Sequence, residues 1–181
     1  MHMHRRNEAT RSAILRRVLL YGITFFTLSI LQCSFFTELS FIKATPNLVL
    51  GALVAVSIFD KREASIITAI SAGFLVDAIG GSGLSLTPIF FLAVSVIFSE
   101  LSKKILPNIF TYGVLMLPAS LTGAVFTYTM MKLNGTSLGL AELIRTILIP
   151  EIFVTVILSL PLCFPIGAIS KFADSKSKFK L

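Results

Sequence analysis

Asp77 and Glu151 are the two acids placed well inside apolar runs of this 181-residue chain. An ionisable side chain at membrane depth costs at least about 2.5 kcal/mol, so each marks a candidate ion, proton or hydrogen-bonding site. Asp77 shares a helical face with Ser65, Ala69, Ala72, Gly73 and Gly80, spaced as one side of a 3.6-residue repeat. Small residues let a neighbouring backbone approach closely, so Asp77 is expected to face other helices rather than lipid. Two roles follow. Its carboxylate can accept hydrogen bonds from the backbone amides of residues 81–83 or a nearby hydroxyl and so fix the glycine turn 80–83, or it can carry an ion or proton. The first is preferred.

Glu151 follows Pro150. A negative charge at that point suits the first turn of a helix, whose N-terminal amides carry partial positive charge. The residues before it, 141–149, then form an amphipathic lead-in. Ala119, Gly123 and Thr127 recur every four residues and mark a helix-packing stripe.

Enzyme constellations are missing. Both histidines, His2 and His4, lie at the N-terminal end, where a disordered segment is expected, so no Ser-His-Asp set can assemble. Residues 80–83 read Gly-Gly-Ser-Gly without the Lys-Ser/Thr of a phosphate loop. Cys33 and Cys163 sit in separate apolar runs without metal-type spacing and read as packing residues. No catalytic activity, metal or cofactor is expected.

The elements that must position these acids are membrane helices. Hydrophobic residues make up 55% of the chain and charged ones 14%, against roughly 25% charged in soluble domains. The length allows about six spans of roughly 20 residues, and the apolar runs fall at 18–36, 46–59, 64–79, 86–101, 109–131 (after Pro107 and Asn108) and 141–169. The second run is short; it must begin earlier, thin the bilayer or lie inside the bundle. Pro46 suits its first turn, where a missing N–H costs nothing. In the sixth run, Pro150, Pro161 and Pro165 should kink or end the helix. The first run exceeds a signal-peptide core and no small-residue cleavage site follows it, so a retained helix is expected.

The basic residues sort by side. With the N-terminus inside, the inner segments hold thirteen Lys and Arg and the outer ones only Lys43, Lys132 and Arg145. That asymmetry predicts six spans with both termini cytoplasmic: a basic end 1–17, a six-helix body 18–170 and a basic tail 171–181. The net charge of +7 is thus topological. It is compatible with contact to lipid headgroups and is not a nucleic-acid signal.

The stretch 46–88 resembles a known family. Pro46-Asn47-x-x-Leu50, a short basic loop, Gly73-x-x-x-Asp77 and Gly81-Ser82-x-Leu84 are similar to the signature of the bacterial rod shape-determining MreD proteins. In that family Pro-Asn or Pro-Asp opens the second helix, and a glycine-rich third helix ends in an acid and a Ser/Gly-rich turn. Ala69 and Ser85 stand where the family usually has glycine, and both remain small. The resemblance implies a non-enzymatic subunit of the cell-elongation machinery in the cytoplasmic membrane. Its implied partners are the bitopic MreC, the actin-like MreB filament, a SEDS polymerase and a class B penicillin-binding protein. Pro46, Asn47, Gly73, Asp77, Gly81, Ser82 and Leu84 would shape the hairpin that MreC packs against or that a ligand occupies.

The MreD fold is also similar to the substrate-binding S components of energy-coupling-factor vitamin transporters, which gives the alternative function. Those proteins usually carry an Ala-x-x-x-Ala stripe on the first helix. Here that helix reads Leu19-Leu20-Tyr21-Gly22-Ile23-Thr24-Phe25-Phe26 and lacks it.

Overall fold

A computed structural model describes residues 2–35, 46–80, 86–135 and 144–178. Among these the regular structure is entirely helical. Helix α1 (His2–Ile30) ends in a π-helical turn, Leu31–Phe35. Helices α2 (Leu48–Phe59), α3 (Arg62–Gly80), α4 (Thr87–Ser102) and α5 (Ile109–Leu133) follow. A second π turn, Ile144–Leu148, leads into α6 (Ile149–Ser159). A 3₁₀ step, Leu160–Leu162, then joins α6 to α7 (Cys163–Lys178).

Among the described residues, four segments are long and apolar enough to cross a membrane: Arg16–Ser34, Arg62–Gly80, Ile109–Leu133 and Ile149–Phe172. Helices α2 and α4 are shorter, at 12 and 16 residues. At 1.5 Å per residue they reach about 18 and 24 Å, less than a hydrocarbon core of about 30 Å.

The short α2 lies inside the bundle. Eleven of its twelve residues are buried, and all six other helices touch it. Its sequence explains this: Leu, Val, Ala, Ile and Gly around the whole circumference, with Ser57 the one hydroxyl and no charge. A helix apolar on every side is stable only when surrounded.

Pro46 is buried but precedes the helix instead of occupying its first turn. Asn47 takes the boundary position because its side chain can accept a hydrogen bond from Leu50 N at 3.0 Å, which a proline cannot offer.

The three prolines of the last segment act as breaks. Pro150 lies in the first turn of α6, Pro161 makes the 3₁₀ step, and Pro165 falls in the first turn of α7. The N-terminal end differs from the disorder expected there: helix α1 already starts at His2. At the other end α7 runs on to Lys178, into the basic tail. Both stretches contain Ala and Lys or Arg, good helix formers that extend a helix already nucleated by packing.

One end of the bundle gathers the charges. Arg17 Nη1 pairs with Asp60 Oδ1 at 3.0 Å, and Arg62 and Lys103 both bridge to Glu100. Ser170 Oγ donates to Phe59 O at 2.7 Å. Residues from α1, the α2–α3 link, α4 and α7 therefore meet at the same end.

Candidate functional site

The hairpin α2–α3 is fixed at its entry by a polar collar. A helix leaves its first amides without intrahelical partners, and inside a bundle water cannot supply them. The amide of Asn47 donates to Thr155 Oγ1 at 3.0 Å, that of Val49 to Gln32 Oε1 at 3.2 Å, and that of Leu50 to Asn47 Oδ1. Asn47 thus caps α2 and joins it to α6, while Gln32 attaches it to the π turn after α1. The sequence singled out Asn47; Gln32 and Thr155 were legible only as polar residues in apolar runs.

Gly73 marks the closest helix approach. A Cβ added there would lie 2.4 Å from Pro88 Cα, so α3 and α4 meet backbone to backbone. Ser65, Ala69, Ala72 and Asp77 on the same face are buried, whereas Gly80 is exposed. The small-residue face is therefore an internal seam that opens only at the last turn of α3. Asp77 is 7% exposed and sits one helical turn beyond the Gly73–Pro88 contact. Gly81, Ser82 and Leu84 lie outside the described residues, as does the turn that Asp77 was expected to hold.

Below Gly73 the seam is closed by three hydroxyls. Ser65 Oγ lies 2.7 Å from Ser57 Oγ and 2.6 Å from Ser95 Oγ; all three residues are fully buried. Ser57 also bonds to Leu53 O at 2.9 Å. This chain ties α2, α3 and α4 together without charge. Its members are 8 and 30 residues apart in sequence, so only Ser65 showed a positional signal.

Glu151 occupies the first turn of α6, as its position after Pro150 suggested. Its Oε1 accepts from Thr127 Oγ1 at 3.2 Å. The α5 stripe makes this possible: Ala119 and Gly123 are buried, a Cβ on Gly123 would lie 2.6 Å from Leu50 Cδ2, and Thr127 completes the row. Glu151, Thr155 and Ser159 are the buried residues of α6. Spaced by four, they give this helix a polar inner stripe, the inverse of a soluble amphipathic helix. At its lower end a second junction forms, where Tyr112 Oη hydrogen-bonds both Gly51 O and Ser159 O at 3.0 Å.

A third carboxylate is buried although it belongs to a loop. The Asp60 side chain is 1% exposed; besides Arg17 it accepts from Tyr21 Oη at 2.7 Å and from the Lys61 amide at 2.7 Å. In sequence Asp60 opens the charged run Asp60-Lys61-Arg62-Glu63 between the two helices, with nothing to set it apart. Its neighbours Lys61, Arg62 and Glu63 are exposed.

These arrangements position backbone and hold polar groups in pairs. Among the described residues no group of three or more His, Cys, Asp or Glu side chains converges as a metal site. No family model, curated protein or solved structure matches this chain.

Proposed function

We propose that this chain is a non-enzymatic, six-pass subunit of a bacterial cell-elongation complex in the cytoplasmic membrane, similar to the MreD family. It would couple an MreC-like bitopic protein and the MreB filament to lateral peptidoglycan synthesis. The observation that supports the reading best is the hairpin itself: an Asn-capped, fully sheathed α2 followed by a small-residue α3 that meets α4 at Gly73 and buries Asp77. Such a unit presents a fixed shape and no reactive centre, which suits a scaffold.

The gathering of Arg17, Arg62, Lys103 and Ser170 at one end agrees with an even number of passes and a cytoplasmic basic face. On this reading the shorter helices α2 and α4 count as passes. The exposed side of α1 carries Val18, Leu19, Ile23 and Phe26, bulky residues rather than an alanine docking stripe, which speaks against the vitamin-transporter alternative.

Depletion in a rod-shaped host tests the proposal. Cells should widen and lose lateral wall insertion, and the tagged chain should copurify with an MreC-like protein. Unchanged width and wall pattern would sink the scaffold reading. Stoichiometric retention of a vitamin by the purified chain would favour the transporter reading instead.

A further inference from the structure

Between α1 and α3 runs a side-opening groove of about 420 Å³, within the range of roughly 300–1,000 Å³ typical of small-ligand sites. Gly22 and Phe25 form one wall; Ile67, Thr68, Ser71 and Leu75 form the other. The two hydroxyls do not make it polar. Thr68 Oγ1 donates to Ala64 O at 2.7 Å and Ser71 Oγ to Ile67 O at 2.9 Å, so both protons are used inside α3. Gly22 keeps the groove open, for a Cβ there would meet nothing within 4 Å.

Length and charge identify an occupant. The α3 wall spans residues 64 to 75, about 16 Å at the helical rise. That matches one leaflet, half of a hydrocarbon core of about 30 Å. At the charged end the lining includes Arg17, Lys61 and Glu63. Arg17 is neutralised by Asp60 at 3.0 Å, which leaves Lys61 and Glu63, both exposed, as two charges of opposite sign in the lining. A phosphate suits the ammonium of Lys61, and a primary ammonium suits the Glu63 carboxylate. A glycerol headgroup carries no ammonium and would leave the Glu63 carboxylate without that contact.

We infer that this groove seats one acyl chain of a phosphatidylethanolamine-type aminophospholipid, its phosphate on Lys61 and its ammonium on Glu63. The site is separate from the hairpin seam and does not depend on the proposed cellular role.

The test uses the full chain, purified in detergent, stripped of lipid and offered equal amounts of phosphatidylethanolamine and phosphatidylglycerol with the same acyl chains. Native mass spectrometry reads the bound lipid. Phosphatidylethanolamine should be retained in preference by about fivefold, the size of one exposed ion pair. Glu63→Gln should bring the two lipids to parity, and Lys61→Gln should lower retention of both. Gly22→Leu should fill the groove and abolish both adducts while the melting temperature stays unchanged. Unaltered retention in Gly22→Leu, or preference for phosphatidylglycerol in the wild type, would overturn the inference. So would capture of neither lipid.

Discussion

Gly73 lies so close to Pro88 that a methyl group on it would fall 2.4 Å from the proline Cα. The obstacle is backbone, which cannot rotate away as a side chain can. Gly73→Ala must therefore push α3 and α4 apart along their whole seam, including the Ser57–Ser65–Ser95 hydroxyls. A loss of at least about 1–3 kcal/mol is expected from overpacking. Gly80→Ala, where nothing lies within 4 Å, should be neutral or slightly stabilising. Thermal melts of both variants in one detergent check the contrast; equal melting points would remove the seam's claimed tightness.

Asn47 is predicted to act through its side-chain oxygen. Asn47→Ala should lose about 1 kcal/mol, the usual value of an N-cap, whereas Asn47→Asp, which keeps the acceptor to the Leu50 amide, should retain most of the stability. Hydrogen exchange at the start of α2 should rise in the alanine variant and not in the aspartate variant.

The Arg17–Asp60 pair has a different signature. Its two side chains are 12% and 1% exposed, so removing one partner strands a buried charge and costs roughly 3–5 kcal/mol. Asp60→Asn and Arg17→Gln should each destabilise strongly, while the double variant should be less damaging than the sum. Tyr21→Phe, which deletes one hydrogen bond to the same carboxylate, should cost about 1.5–3 kcal/mol. A double-mutant cycle with no coupling would show that the pair adds nothing.

Gly51 provides the sharpest rescue experiment. An added Cβ would lie 2.1 Å from Ser159 Oγ and 2.6 Å from Ser159 Cβ. Gly51→Ala should thus unfold or severely destabilise the bundle. Ser159→Gly should restore it, but Ser159→Ala should not, because the offending Cβ remains. Refolded yield by size-exclusion chromatography distinguishes the two double variants.

For Asp77, Asn should be tolerated better than Leu if hydrogen bonding is its role, since the amide keeps an acceptor at a buried position. Equal loss of cell-shape complementation in both variants would point to a required negative charge.

The sequence revealed those features that depend on local pattern. The helical class, the basic asymmetry, the small-residue faces of α3 and α5, and the breaks at Pro150 and Pro161 all follow from spacing and residue type. The brevity of α2 left three possibilities, and its all-round apolarity is what placed it inside. The polar junctions were harder to see. Ser57, Ser65 and Ser95, or Gly51, Tyr112 and Ser159, meet only after three helices pack, and no periodicity within one helix announces a partner on another. Asp60 was hidden for the opposite reason: four consecutive charges look solvated, although a single one folds back to Arg17 and Tyr21. The resemblance of 46–88 to MreD rests on residues of which Pro46, Asn47, Leu50, Gly73 and Asp77 fall in described positions.

The enclosure of α2 has a consequence for how the protein enters the bilayer. A 12-residue segment about 18 Å long offers an insertion machine too short a span to release into lipid by itself, and its own flank places the Asp60 charge at one edge. Its stable position becomes available only once α1 and α3 stand beside it. Biogenesis should therefore proceed by delayed, pairwise entry, with α2 carried in by its successor. Truncation after residue 61 should leave α2 accessible from the aqueous side, whereas truncation after residue 104 should not.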